Sequence, residues 1–187
     1  MAQPNPPLNH VCNLCLDVAP PLSGGITPRG PAYWFEIVGG STVSADIAPS
    51  APASGPELEV LRGGGDYAIL NRDSGFLSLD VRVVAREKLH GDLFMFRNRG
   101  AIRFDNDKVT RILNSEQTAT STEYGEASMY ESVVCNTASK EYAWMNFAVL
   151  VAEGRLVVED GRLASVELRL FKVGRESGDS GPLPALD

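Results

Sequence analysis

The sequence predicts an all-β protein, built as an antiparallel barrel or a β-sandwich. Three observations support this fold class. Short runs rich in β-branched and aromatic residues, which are typical of strands, fill most of the chain between residues 10 and 173. Glycine-containing turns separate these runs at nearly regular spacing. No segment longer than about two turns shows the 3.6-residue period of an amphipathic helix.

The strand predictions follow the chain in order. We predict strands over residues 10–18, 32–38, 41–47, 57–61, 66–70, 76–86, 92–98, 129–137 and 144–152, and a hairpin at Asp160-Gly161 whose second arm is 163–173. Turns are expected at glycine clusters such as Gly39-Gly40 and Gly63-Gly64-Gly65, since glycine accepts positive φ. Residues 105–128 form a long irregular segment with a helical turn at 109–113. A segment of this length is typical of a lid or a binding loop.

The chain is long enough for one barrel or sandwich domain, at 187 residues. Residues 1–9 and 174–187 are rich in proline, glycine and polar side chains, so we expect flexible tails there. The stretch 47–56 (IAPSAPASGP) has a similar composition and is expected to be a flexible surface loop. This places the barrel domain at residues 10–173.

Composition excludes several classes of partner. With 24 acidic and 17 basic side chains the formal charge is -7, so the positive surface that nucleic acid requires is not expected. The longest apolar runs fall far short of the roughly 20 residues that span a bilayer, so no membrane partner is expected. The first residues lack the charged and apolar regions of a secretory signal, and we therefore expect a cytoplasmic protein.

The sequence also lacks the usual signatures of metal and cofactor sites. Cys12, Cys15 and Cys135 are an odd number of cysteines in a chain without an export signal, so reduced thiols are expected. The C-x-x-C pair has no second pair with which to bind zinc. Nucleotide-binding loops and serine-hydrolase motifs are absent, and neither His10 nor His90 lies in a catalytic-triad context. We predict that the protein uses no metal and no cofactor.

Polar side chains alternate with apolar ones in the predicted strand 76–86. Leu77, Leu79 and Val81 fall on one face, and Asp80 and Arg82 on the other. One interpretation is a solvated outer face, on which such an ion pair contributes little. The other places the pair inside a wide barrel, where a carboxylate and a guanidinium would orient a substrate or move a proton.

Two further strands raise the same alternatives. Glu36 shares a face with Trp34 among apolar neighbours, so it is either a glutamate at the rim or a buried acid with a raised pKa. Trp144 and Asn146 would share a face of the strand 144–152, as an aromatic platform with an amide or simply as packing residues.

Five motifs occur in a fixed order along the chain. They are Gly39-Gly40, the run VLRGGGDY at 60–67, LDVR at 79–82, RNRG at 97–100 and YAWMN at 142–146. In this order they resemble the domain-of-unknown-function family 3237, over residues 12–173.

The resemblance implies a closed, lipocalin-like antiparallel barrel with a central ligand cavity and one long lid-like loop. Some fungal members of that family belong to natural-product pathways with cofactor-free ring closures. The resemblance therefore implies a cyclase that closes an oxygen heterocycle in a prenylated aromatic or polyketide substrate, by adding a hydroxyl group to an alkene. A hetero-Diels-Alder reaction, a non-catalytic carrier and a structural β protein with a filled interior are the alternatives.

The resemblance also places the recurring polar positions in the cavity. These positions are Asp80, Arg82, Asn98, Trp144 and Asn146. For the cyclase we predict Glu36 or Asp66 as the proton donor, Asp80 as the base, and Arg82 and Asn98 as stabilisers of a developing oxyanion. The expected substrate-binding residues are Trp34, Tyr67, Tyr130, Trp144 and Asn146. The expected partner is a hydrophobic aromatic small molecule, and the oligomeric state is left open, with a homodimer as one arrangement.

Overall fold

The computed structural model describes residues 5–43, 55–104 and 106–174. Within these ranges the chain forms ten strands, one α-helix and a 3-10 helix over Ala143–Asn146. The elements are β1 (Leu8–Val18), β2 (Leu22–Thr27), β3 (Gly30–Val43), β4 (Leu58–Val60), β5 (Gly64–Asn71), β6 (Phe76–Glu87), β7 (Leu93–Arg103), α1 (Asp107–Leu113), β8 (Met129–Thr137), β9 (Leu150–Glu159) and β10 (Arg162–Val173).

Eight of these strands close an antiparallel barrel. Its order is β1-β10-β9-β8-β7-β6-β5-β3, and β3 pairs with β1 to close the ring. The strand β2 extends β3 as a hairpin, and β4 bridges β3 and β6. A barrel of eight strands is just wide enough to be filled by side chains or to hold one small ligand. The predicted closed barrel is confirmed.

The two-residue period decides which side chains fill the interior. In β6, Leu77, Leu79, Val81 and Val83 are each no more than 6% exposed, and the side chains between them face outward. The same alternation holds along β8. Burying one apolar face of every strand drives closure of the barrel, since the outer faces remain solvated.

The expected turn at Gly39-Gly40 is wrong, because β3 runs through both glycines. Up to Ile37 this strand pairs with β5, and beyond it the strand continues against β1. Gly40 has φ +133, and a Cβ there would lie 2.0 Å from the carbonyl oxygen of Cys15. The glycines therefore allow a long strand to bend closely past β1 rather than to reverse.

The expected strand at 144–152 is also wrong in its first half. Residues Ala143–Asn146 form the 3-10 helix, and β9 begins only at Leu150. Asn146 fixes this loop: its Oδ1 accepts the N–H of Thr137 at 2.8 Å, and its Nδ2 donates to the carbonyl of Thr137 at 3.0 Å. A side chain that satisfies loop backbone groups in this way competes with extended structure.

The predicted helical turn is confirmed as α1. The side chain of Asn106 caps it by accepting the N–H groups of Lys108 and Val109. Val109 and Ile112 are fully buried and belong to the barrel core, so the helix packs on the barrel. The loop that follows α1 then passes beside β9, where Thr122 and Leu156 exchange two hydrogen bonds of 2.9 Å.

Strand pairing extends almost to the edges of the described region. The strand β1 begins at Leu8, within the expected N-terminal tail, and pairs there with Val173. The remaining tail predictions, residues 1–4 and 175–187, and residues 47–54 of the expected loop lie outside the described residues. None of the described helices is long and apolar enough to cross a membrane.

Candidate active site

Cross-strand register places two polar side chains in the barrel interior. Asp66 on β5 is opposite Val81, Val81 is opposite Asn98 on β7, and Asn98 is opposite Val133 on β8. These positions form one row across four neighbouring strands. Because adjacent strands lie about 4.8 Å apart, the backbones of Asp66 and Asn98 are separated by roughly 10 Å.

Glu131 on β8 completes this group. Its Oε2 accepts a hydrogen bond of 2.8 Å from Nδ2 of Asn98, and both residues are only 3% exposed. Gly100 lies opposite Glu131, and a Cβ there would come within 2.8 Å of the glutamate Cγ. The glycine therefore leaves the space that the carboxyl side chain occupies.

Two buried polar atoms of this group lack a hydrogen-bond partner among the described residues. They are Oδ1 of Asn98 and Oε1 of Glu131. Such atoms are rare in folded proteins, because burial without a partner costs about 1–3 kcal/mol. A carboxyl oxygen and an amide oxygen are therefore free to bind a polar group of a ligand.

Both carboxyl groups have raised pKa values. Burial raises the pKa of Asp66 to about 7, although the N–H of Asp80 donates to its Oδ1 at 2.9 Å and opposes the shift. Burial likewise raises the pKa of Glu131 to about 7, against the hydrogen bond from Asn98, and the charge of Asp66 raises it further. Two interacting groups of this kind titrate as a pair, so near neutral pH one is protonated and the other charged.

Asp66 and Glu131 line a common cavity of about 40 Å³. This is room for a few water molecules. Apart from the two carboxyl groups the wall is apolar, formed by Leu16, Val18, Phe35, Ile37, Leu77, Leu79, Val81, Ile102, Leu113, Met129, Leu156, Leu163, Val166 and Leu168. An acid and a base in an apolar cavity can transfer protons to and from an uncharged organic molecule.

Comparison with known proteins identifies the family. Residues 6–173 match the family described as "Protein of unknown function (DUF3237)". The chain belongs to this family. It is also 31% identical over 175 residues to "PR-toxin biosynthesis cluster protein 7" of Penicillium roqueforti, covering 90% of this chain and 93% of that protein.

Solved structures share the fold at low sequence identity. A conserved protein of unknown function from Rhodopseudomonas palustris matches with a TM-score of 0.73 and 14% identity, over 91% of this chain and 99% of its own. A β-barrel-like protein from Acinetobacter baumannii matches at 0.67 and 17%, over 92% and 98%. An enzyme from Penicillium herquei matches at 0.57 and 13%, over 92% and 98%.

The DUF3237 motif Arg97-Asn98-Arg99-Gly100 serves both faces of β7. Asn98 binds Glu131 inside the barrel, and Gly100 makes room for it. Outside, Nε and Nη2 of Arg97 each lie 3.2 Å from an oxygen of Asp80, and Nη2 of Arg99 lies 3.7 Å from Asp80 Oδ2.

Asp80 and Arg82 do not line the cavity of this DUF3237 protein. Their side chains are on the outer face, 33% and 64% exposed, and Arg82 Nε lies 4.0 Å from Asp80 Oδ1. The apolar face of β6 is the one buried in the barrel, so the intervening polar residues must point outward. The prediction that this pair faces the cavity is therefore wrong. The alternative interpretation, a solvated outer face, is the one that the structure has.

Four other predicted residues also lie outside. Glu36 forms an ion pair of 3.2 Å with Arg62, and Trp34 packs over Gly65 and against Tyr67, with ring centroids 4.5 Å apart. Tyr67 is 64% exposed and Tyr130 56%. Phe35 and Ile37 take the inward positions of β3, so the residues that alternate with them face solvent.

Trp144 and Asn146 both lie in the 3-10 helix, and neither lines the cavity. Nζ of Lys172 lies 5.1 Å from the centre of the Trp144 ring, and the Asn146 amide holds the loop. Of the predicted site residues, the interior therefore contains only Asp66 and Asn98.

Glu131 was missed by the sequence analysis. A signal for it exists, because Met129, Glu131, Val133 and Cys135 alternate on one face of β8, and three of the four are apolar. A carboxyl side chain on an otherwise apolar strand face indicates a buried acid.

The cysteines take no part in this site. Cys12 packs against the core, whereas Cys15 lies beside Asp17, with Sγ 3.8 Å from Oδ1. Burial raises the pKa of Cys135 to about 12, so this thiol is not a nucleophile at neutral pH. Within the described ranges, no three His, Cys, Asp or Glu side chains are grouped so that they could hold a metal ion.

Proposed function

We propose that this protein is a cofactor-independent cyclase of fungal secondary metabolism. Its reaction adds a substrate hydroxyl group across an alkene and closes an oxygen heterocycle. The observation that carries the proposal is the pair Asp66 and Glu131, two carboxyl groups with pKa values of about 7 that face one apolar cavity. The relative from a toxin biosynthesis cluster and the similarity to a Penicillium enzyme support it.

The two carboxyl groups have different roles in the proposed reaction. We assign Asp66 as the base, in place of the proton-donor role expected from the sequence, because the N–H of Asp80 stabilises its charged form. Glu131 is the acid, since its burial and the nearby charge of Asp66 favour the protonated form. Asp66 accepts the hydroxyl proton while Glu131 protonates one alkene carbon. The π bond breaks, and the hydroxyl oxygen forms a bond to the other carbon.

This reaction is an isomerisation with no net change in atoms or electrons. It leaves Asp66 protonated and Glu131 charged, so one proton must return from the aspartate to the glutamate, directly or through water. Because both pKa values are about 7, this return is nearly balanced in free energy.

Asn98 and the apolar wall supply orientation. The Asn98 amide fixes Glu131 through Nδ2, and its free Oδ1 can accept a hydrogen bond from a second donor group of the substrate or from water. The apolar side chains exclude water from a substrate with developing positive charge. Holding the hydroxyl group and the alkene in contact can lower the activation free energy by on the order of 7–11 kcal/mol.

The test is turnover of 2-(3-methylbut-2-enyl)phenol in deuterated water. We expect 2,2-dimethylchroman with one deuterium at ring carbon 3. Glu131→Gln and Asp66→Asn should lower kcat/KM by about 10²- to 10⁴-fold. Glu36→Gln is the matched control, since this glutamate lies on the outer face and its loss should leave kcat/KM unchanged.

Other outcomes would contradict the proposal. Tight binding without product would identify a carrier. Product without deuterium at carbon 3 would mean that the proton added to the alkene does not come from a group that exchanges with solvent, which excludes Glu131 as the acid. Equal loss of turnover in Glu36→Gln and Glu131→Gln would remove the interior pair from the mechanism.

A further inference from the structure

The interior cavity is too small for the substrate that its chemistry suits. Its volume is about 40 Å³, whereas pockets for organic ligands measure about 300–1,000 Å³. A prenylated phenol therefore reaches Asp66 and Glu131 only if the wall of the cavity moves. The side chains around the cavity indicate which part of the wall moves.

A second pocket of about 240 Å³ adjoins the cavity and opens to the surface. It is lined by Pro20, Pro21, Phe35, Ile112, Leu113, Ser115, Arg162 and Leu163. Phe35, Leu113 and Leu163 line both this mouth pocket and the interior cavity. These three apolar side chains, which we name the partition, lie between the mouth pocket and the cavity that holds the carboxyl pair.

The helix that carries Leu113 packs on the barrel through Val109 and Ile112, and its polar contacts are to loop residues rather than to a paired strand. Its cap residue Asn106 donates to the carbonyl of Glu126 at 3.0 Å, and Lys108 forms an ion pair of 2.8 Å with the carboxylate of Glu126. On its other side lies a surface groove of about 410 Å³, lined in part by Thr110 and Asn114. Moving α1 therefore breaks fewer hydrogen bonds than opening a barrel strand.

We propose that the substrate reaches the carboxyl pair from the mouth pocket by displacement of α1, and that the partition determines which substrates pass. The identity of the reaction rests on the proposed function, but the route does not. The apolar partition selects an apolar body whose hydroxyl group leads toward Asp66, the proposed base, and whose alkene lies at Glu131. Leu113 is the residue of the partition that moves, because Phe35 and Leu163 are fixed in β3 and β10.

The test measures ligand association without chemistry. 1-Hydroxypyrene is fluorescent and carries a hydroxyl but no alkene chain to cyclise, so stopped-flow mixing reports binding alone. Leu113→Ala should raise its association rate constant about tenfold, and Leu113→Trp should lower it about tenfold. The smaller 2-naphthol should respond less. Arg111→Ala is the control, since this side chain on α1 is exposed.

Equal association rates for wild type, Leu113→Ala and Leu113→Trp would overturn the inference. Because a variant could fail to fold, hydrogen exchange of the wild-type protein gives a second measurement. Amides of Asp107–Leu113 should exchange faster than those of β7, and 1-hydroxypyrene should change their rate. Exchange in α1 as slow as in β7, with and without the ligand, would also overturn it.

The two proposals fail separately. If 2-(3-methylbut-2-enyl)phenol gives no product while Leu113 still controls 1-hydroxypyrene association, the cyclase proposal fails and the route stands. If product forms at the same kcat/KM in both Leu113 variants, the route fails and the cyclase proposal stands.

Discussion

Two aspartates joined by one hydrogen bond illustrate how the barrel wall separates two environments. Asp66 points inward, and its Oδ1 accepts the backbone N–H of Asp80 at 2.9 Å. Asp80 points outward, toward Arg97, Arg99 and Arg82. The pKa of Asp66 is raised to about 7, mainly by burial, and that of Asp80 is lowered, mainly by the hydrogen bond from Arg97.

The difference shows that chemistry here depends on the strand face rather than on the residue type. Outside, three guanidinium groups and solvent keep the carboxylate charged. Inside, desolvation leaves a carboxyl group that gains and loses a proton near neutral pH. The outer group suits stability and solubility, and the inner group suits proton transfer.

The largest expected effect is the pH dependence of folding stability caused by the two inner carboxyl groups, Asp66 and Glu131. The folded protein binds extra protons between about pH 4 and pH 7, so its stability should fall as pH rises through this window. Glu131→Gln removes one of the two contributions. The variant should be more stable than wild type by about 3 kcal/mol at pH 8.5, and the difference should shrink toward pH 5.

Urea unfolding at several pH values measures this difference. Glu36→Gln, on the outer face, serves as the matched control and should follow the wild-type curve. A stability difference for Glu131→Gln that does not change with pH would mean that the glutamate is charged in the folded state.

A smaller effect of opposite sign is expected on the outer face. Because the pKa of Asp80 is lowered by folding, its contribution to stability is present above the unfolded pKa and is lost as pH falls through the folded one. Asp80→Asn should reduce stability by about 1 kcal/mol at pH 7, since solvent and salt screen the arginines. Thermal unfolding at low and high salt tests this. A loss that is independent of salt would contradict a screened surface cluster.

The smallest effect is expected for Arg82. Its Nε is 4.0 Å from Asp80 and its side chain is 64% exposed. Arg82→Ala should therefore change the free energy of unfolding by less than about 0.5 kcal/mol and leave turnover unchanged. Melting temperature and kcat/KM measured on one preparation decide this. A 100-fold fall in kcat/KM with an unchanged melting temperature would mean that Arg82, on the outer face, takes part in the reaction.

The alternation of side chains was sufficient to predict most strands and the all-β class. It failed where a local interaction outweighed it, as at Asn146, whose amide bonds the loop backbone instead of joining a strand. At Gly39-Gly40 the sequence indicates a place where the chain bends. It does not indicate that the strand continues past the bend against a new neighbour.

The sequence by itself determined that the apolar face of β6 and the Asp80–Arg82 face are opposite, because side chains alternate at each residue of a strand. Only the closed barrel decided which face is inside, since closure buries the larger apolar area. Tertiary structure also brought Asp66, Asn98 and Glu131 together from three strands, through the register of β5 to β8. Register depends on the packing of all strands at once, and so does the desolvation that sets the pKa values of this pair.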